Sequence, residues 1–322
     1  MTQRQQHHEV NGVGPRVIED FIGQEQVSRR VKVALEASWN DGTRLPHMLL
    51  VGPPGVGKTQ LANILAKEVG SELHEQLGQN LLRSSDLHGF IMQAEDRDVL
   101  LLDEIHELSS MGQTCLYRAI ENGQIFLESQ QSNKSRTVRT SNFTLLAATT
   151  DPHRLLQPLI DRFRLILPFD YYSDADLILI LQKRSLQLNW QVEEQVFAQV
   201  AQRGRGVPRI ALRLLESTYR TARSVNSSTI TMEHFTLTCE LEGLDELGLG
   251  LDERKYLNIL SQQSNEGKPV RVNILASIMG MHQRSITVNI ENFLVRMGLI
   301  VRSDEGRKLT QKGWSHLESN PV

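Results

Sequence analysis

The run Gly52-Pro53-Pro54-Gly55-Val56-Gly57-Lys58-Thr59 restricts the fold of this chain more than any other segment. It fits G-x-x-x-x-G-K-[ST], and each residue type has a physical reason for its place. Glycines adopt the backbone angles of a tight loop, which turns successive N–H groups inward as an anion nest. Lys58 sets a mobile positive charge against the outer oxygens of a phosphate chain, and the Thr59 hydroxyl is suited to ligate Mg²⁺. Gly52, Gly55, Val56, Gly57, Lys58, Thr59 and the following Gln60 are therefore the candidate phosphate cradle. The flanks agree. His47-Met48-Leu49-Leu50-Val51 reads as a buried strand, and Leu61, Ile64, Leu65 and Val69 recur at helical spacing up to Gly70. The ordinary alternative is a glycine-rich turn with a stray lysine, but strand, glycine loop and helix in that order favour the cradle.

Four apolar runs alternate with helical patterns over the first half: Met48–Val51, Val99–Leu102, Phe143–Ala147 and Leu165–Phe169. Strands separated by helices imply a parallel sheet in an α/β layer fold. The Ser-, Gln-, Asn- and Arg-rich sequence between Ile125 and Phe143 reads as a hairpin. From Asp174 to about Cys239 the pattern is helical, and Leu244–Gly250 reads as a linker. Helical patterns near Glu253–Gln262, Val272–Met279 and Ser285–Met297 precede a hairpin of Leu299–Arg302 and Arg307–Thr310. Three short helices and a hairpin suggest a winged helix.

A phosphate cradle needs a metal anchor and a group to activate water. Val99-Leu100-Leu101-Leu102 ends in Asp103-Glu104, which puts two carboxylates where open α/β sheets bind ligands, at the carboxyl edge of the strands. Asp103 suits the metal and Glu104 the attacking water. The third apolar run ends in Thr149-Thr150, hydroxyls at the same edge. Arg162 is either a solvated charge or a finger reaching a neighbour's phosphate, and Arg209 either an exposed arginine or a phosphate sensor at a helix start. The basic run Arg203, Arg205, Arg209, Arg213, Arg220 and Arg223 includes ordinary solvated positions.

Bulk properties exclude several classes. A formal net charge of -3 gives no general attraction to nucleic acid, so any such contact needs a local patch. Two cysteines supply no disulfide framework, which suits a reducing cytoplasm. No apolar run is long enough to span a bilayer, and the polar N-terminus has no signal-peptide core.

Taken together, GPPGVGKT, DEIH at Asp103–His106, AATT at Ala147–Thr150, DRF at Asp161–Phe163 and GVPR at Gly206–Arg209 resemble the AAA+ ATPases. The finer likeness is to the RuvB family of Holliday-junction branch-migration motors. Phe21-Ile22-Gly23-Gln24, Tyr171-Tyr172, Arg205–Ala211 and Leu244–Leu249 carry it, and it runs from about Pro15 to Leu317. The polar composition of the N-terminus implies a disordered tail over 1–14; the resemblance implies an AAA+ P-loop ATPase domain over 15–172, an α-helical lid over 173–243 and a winged-helix DNA-binding domain over 244–322. It implies ATP and Mg²⁺ as cofactors, Thr150 or Thr149 as first sensor, Arg162 as trans-acting finger and Arg209 as second sensor. It sets Ile22 and Tyr172 against base and ribose, and Arg302 and Arg307 against DNA. It further implies self-association into a hexameric ring and a RuvA-like partner bound through the 125–143 hairpin.

The ATPase core keeps the family pattern better than the partner and DNA surfaces do, though Asp151 and Ile160 replace arginines beside the sensor and the finger. Gly14 replaces an arginine, Gln60 a threonine and Leu212 an asparagine. Thr140 replaces a usual leucine in the hairpin, and Asp304-Glu305 sets two negative charges between Arg302 and Arg307, which should weaken phosphate contact. A diverged nucleotide-dependent DNA or protein assembly switch, without branch migration, is the competing expectation.

Overall fold

The computed structural model describes residues 14–128, 135–264 and 268–319. The expected tail, apart from Gly14, and the tip of the expected hairpin lie outside the described residues. The chain divides into two compact units. One takes the sequence up to Trp190 together with Gly206–Arg213; the other takes Gln191–Arg205 and Leu214 onward.

In chain order the first unit contains α1 (Glu25–Asp41), β1 (Met48–Val51), α2 (Lys58–Glu68), β2 (Leu73–Leu77), α3 (Ser84–Met92), β3 (Val99–Asp103) and α4 (Ser110–Asn122). There follow β4 (Gln124–Glu128), β5 (Ser135–Arg139), β6 (Thr144–Thr149), α5 (Gln157–Ile160), β7 (Leu165–Pro168) and α6 (Asp174–Gln187). The order across the sheet is β2-β3-β6-β1-β7, and every neighbouring pair is parallel. A parallel sheet covered on both faces needs near-continuous apolar strands. β1, β3 and β6 meet that demand, with Leu50, Val99, Leu101 and Leu146 fully buried. The register aligns Val51 with Thr149, so the loops after β1 and β6 leave the sheet side by side.

All four expected strands are present, and a fifth, β2, joins them. Leu73-His74-Glu75-Gln76-Leu77 has a polar centre and no apolar run, because β2 is an edge strand paired only with β3. Leu100, Leu102, Leu145 and Ala147 pack with Phe90, Ile91, Leu116 and Ala119 of α3 and α4. Each fully buried leucine or phenylalanine there contributes about 1.5–3 kcal/mol. α2 runs as the spacing requires, with Leu61, Ile64 and Leu65 buried, and Gly70 (φ +67°) follows its end. β4 and β5 form the expected antiparallel hairpin, with Ile125 opposite Val138.

The second unit includes β8 (Gln191–Val192), α7 (Glu194–Arg203), most of α8 (Pro208–Ser224), β9 (Thr229–Ile230) and α9 (Met232–Glu242). Then come α10 (Leu251–Gln263), α11 (Val272–Met279), α12 (Gln283–Ser285), α13 (Asn292–Arg296), β10 (Ile300–Ser303), β11 (Gly306–Leu309) and α14 (Gln311–Ser319). A π-helical turn over Ile286–Glu291 joins α12 to α13. Tyr256, Leu257, Leu260, Leu275, Ile286 and Leu294 form one core beneath the β10–β11 hairpin. Three helical segments and a wing appear as expected; α14 was not anticipated.

The segment read as a linker is pinned in place. The Asp245 carboxylate accepts hydrogen bonds from Leu247 N (2.9 Å) and Leu249 N (2.8 Å), and lies 3.0 Å from His316 of α14. Leu249 is fully buried in the core. Arg203 donates to the Asp245 carbonyl at 3.0 Å, and Arg205 pairs with Glu253 at 2.7 Å while stacking on Phe293. Two arginines of the basic run are thus internal ties.

Candidate active site

The glycine loop needs glycine for reasons of space. At Gly52 a Cβ would lie 2.4 Å from the Phe169 carbonyl oxygen. At Gly55 (φ +79°) it would meet Val207 Cγ1 at 2.8 Å. Backbone can approach this closely only without side chains. α2 begins at Lys58, so its unpaired N–H groups and positive dipole end face the loop. Lys58 Nζ donates to the carbonyls of Gly52 (2.8 Å) and Pro53 (2.7 Å). Burial pulls its ammonium below the ordinary lysine value; Glu104 and Asp103 oppose this, and Arg209 adds to it. The Val56 side chain is buried, and its carbonyl accepts from the Tyr172 hydroxyl at 3.1 Å.

At the end of β3, Glu104 N donates to Asp103 Oδ1 at 2.9 Å, which fixes the first carboxylate. Glu104 has left-handed backbone (φ +49°), and its carbonyl oxygen would be 2.4 Å from a Cβ on Gly78. Its carboxylate accepts from Thr150 Oγ1 at 3.2 Å. His106 Nδ1 lies 3.2 Å from Glu104 Oε2 and 3.0 Å from Thr149 Oγ1.

The two threonines therefore differ. Thr149 is fully buried and its hydroxyl also accepts from Asp151 N at 3.0 Å, so it braces the turn behind the site. Thr150 is exposed and touches Glu104. Thr149 is the last residue of β6 and Thr150 the first of the turn that follows, so their hydroxyls have different surroundings.

A cleft of about 570 Å³ opens beside the loop. Ile22, Gly55, Gly57, Lys58, Thr59, Gln60, Asp103, Glu104, Tyr172 and Arg209 all line it. Tyr172 is held close: a Cβ on Gly23 would lie 2.7 Å from its ring, and burial raises its hydroxyl pKa. Gln60 donates to the Pro15 carbonyl at 3.1 Å, so its amide faces the N-terminal segment as well as the cleft. Sequence reading passed over Asp20, Ile180, Lys183, Arg184 and Gln187, which complete the wall. Their signal is spacing: 180, 183, 184 and 187 share one face of α6. Lys183 donates to Asp20 at 2.5 Å.

Arg162 does not line the cleft; it donates to Glu121 of α4 at 2.6 Å. The wing arginines are not equivalent. Arg307 donates through Nε (2.8 Å) and Nη2 (3.0 Å) to the fully buried Glu291, which also accepts from the Tyr256 hydroxyl at 2.9 Å. Its guanidinium is thus committed to a buried carboxylate of its own unit. Arg302, opposite it across the hairpin, is more exposed and lies 3.8 Å from Glu291.

Models of known families cover most of the chain. Residues 13–169 match the Holliday junction DNA helicase RuvB P-loop domain, 172–245 the RuvB AAA lid domain and 246–318 the RuvB C-terminal winged helix domain. The chain is 36% identical over 305 residues to a RuvB Holliday junction branch migration complex subunit of Rubrobacter xylanophilus, covering 94% of this chain and 86% of that one. It is 37% identical over 305 residues to the subunit of the same name from Thermosipho melanesiensis, covering 92% and 96%. A solved structure of the Thermotoga maritima RuvB Holliday junction branch migration motor superposes with a TM-score of 0.82 at 34% identity, covering 94% of this chain and 97% of that one. The parallel P-loop sheet, the cradle with its paired carboxylates and the wing are thus parts of one inherited plan: the chain belongs to the RuvB family of AAA+ Holliday junction helicases.

Proposed function

We propose that the chain is an ATP-driven motor that moves the branch point of four-way DNA junctions, acting as a ring in the cytoplasm. The observation that carries this reading is the contact of Thr150 with Glu104 beside a buried Lys58, in a chain whose family match extends through the wing. We divide the chain into an ATPase domain over 15–172, a lid over 173–243 and a winged-helix domain over 244–322.

The cradle fits a nucleoside triphosphate, because Gly55 and Gly57 admit backbone close to a ligand and Lys58 supplies charge. Among the described residues no group of three His, Cys, Asp or Glu could hold a metal alone. The Thr59 hydroxyl and the Asp103 carboxylate would hold a magnesium ion together with phosphate oxygens and water. The ion would neutralise charge building on the outer phosphate. Glu104 takes the proton of the attacking water, and Thr150 orients that carboxylate. Arg162 of a neighbouring subunit stabilises the leaving charge, so hydrolysis requires assembly. Arg209 reports the phosphate state from the start of α8. Arg302 contacts DNA phosphate without reading sequence, and the β4–β5 hairpin takes the RuvA-like partner.

The test is ATP turnover and strand exchange on a synthetic four-way junction. Junction DNA should stimulate turnover and the junction should migrate, with both lost in Glu104→Gln. Stimulated hydrolysis on a junction that stays still would refute the motor and leave a switch.

A further inference from the structure

Arg184 is the anomaly of the cleft. It stands in the inward row Leu177, Leu181, Arg184 of α6, and only 8% of it is exposed. Its Nη1 is buried without a hydrogen-bond partner, and the residue lines the cleft. Burial lowers its pKa, and no neighbouring carboxylate relieves it. A buried guanidinium left unpaired is costly, and such a group is retained where a ligand supplies the acceptor.

Position says which part of a ligand that is. The phosphate end is marked by Lys58, whose Nζ is tied to the loop carbonyls of Gly52 and Pro53, whereas Arg184 stands on α6. Arg184 lies one helical turn beyond Ile180, which with Ile22 and Leu212 contributes apolar lining to the cleft. Flat apolar walls suit an aromatic ring, and a guanidinium has only donors to offer.

We propose that Arg184 is a nucleotide-contacting residue that donates to a ring acceptor of the base, and so helps select the nucleoside triphosphate. This rests on the reading that the phosphates occupy the glycine loop. The mutual strength of the contact is that of a charge-assisted hydrogen bond in a partly dry site.

Calorimetric titration of the full chain with Mg²⁺ and ATP, 2′-deoxy-ATP or inorganic tripolyphosphate tests it. Arg184→Met should weaken ATP by about tenfold to a hundredfold. Tripolyphosphate affinity should not change, and Arg184→Gln, which keeps a donor, should retain part of the ATP affinity. The melting temperature of Arg184→Met without nucleotide should not fall, since an unpaired buried charge has been removed. Unchanged ATP affinity, or an equal loss for tripolyphosphate, would overturn the assignment. So would 2′-deoxy-ATP binding the parent protein as weakly as ATP binds Arg184→Met, since the acceptor would then be ribose. Lys58→Ala separates the two readings: if it leaves ATP affinity intact the loop reading fails, and if it alone abolishes binding only the Arg184 proposal fails.

Discussion

Replacing Arg307 with alanine should unfold the winged segment more readily, with loss of DNA contact only as a consequence. Glu291 is fully buried and takes two of its three strong hydrogen bonds from Arg307, at 2.8 and 3.0 Å. Tyr256 supplies the third, and Arg302 at 3.8 Å is too far to replace what is lost. Two bonds to a charged group at about 1.5–3 kcal/mol each give about 3–6 kcal/mol, in line with about 3–5 kcal/mol for breaking a buried pair. That is a large share of the roughly 5–15 kcal/mol that holds a domain folded. Arg302→Ala, at a half-exposed position, should cost at most about 1 kcal/mol and reduce the salt slope of DNA binding by about 0.9. The assay is urea unfolding followed by Trp314 of α14, in a background with Trp39 and Trp190 changed to phenylalanine. The double variant Glu291→Leu, Arg307→Met should recover to within about 1 kcal/mol of the parent or exceed it. An Arg307→Ala protein as stable as its parent, but weaker on DNA, would refute the reasoning.

His47 accepts from Leu145 N at 2.9 Å, and burial with Arg44 and Arg164 lowers its pKa to about 3. The folded form therefore resists a proton that the unfolded chain takes near 6.5. Stability should be full above pH 6.5 and fall by about 1.4 kcal/mol per unit as pH drops toward 3, a slope that His47→Asn should flatten in acid-unfolding curves. Arg162→Ala should cut turnover of the assembled protein by about a thousandfold while leaving ATP affinity of the isolated chain unchanged; full turnover would remove it from catalysis. Gly78→Ala places a carbon 2.4 Å from the Glu104 carbonyl, so kcat should fall with KM for ATP little changed. Steady-state kinetics on junction DNA would detect an effect on KM alone, which would sink that expectation.

What the sequence made legible follows from how each element is stabilised. Central strands must be apolar on both faces, so β1, β3 and β6 announce themselves, and the edge strand β7 is legible only because Leu165-Ile166-Leu167 happens to be an apolar run. β2 is not, because an edge strand with His74, Glu75 and Gln76 at its centre has one neighbour and no need of a run. The P-loop is readable because local backbone chemistry specifies it. The different surroundings of Thr149 and Thr150 are not, because the strand ends between them and only the turn geometry sets where each hydroxyl lies. Arg307 looked like a surface cation since its partner Glu291 is distant in sequence and both are charged. Arg184 was hidden the same way: its meaning lies in a buried Nη1 without a hydrogen-bond partner, at a cleft whose other residues come from elsewhere in the chain. Gly14 and Gln60 show a readable departure gaining sense, since a Cβ at position 14 would lie 2.8 Å from the Gln60 amide.

Asp245 clasps the start of the segment 245–316 to its end through His316, while its carbonyl is gripped by Arg203 at the end of α7. A slack tether between those points would absorb any displacement as bending. Clasped at both ends, the winged segment should act as a stiffer arm than an open tether, passing a pull on its wing to Arg203 through Asp245. Removing the last helix would convert that arm into a spring: nucleotide turnover would continue, and stroke length on DNA would be what disappears.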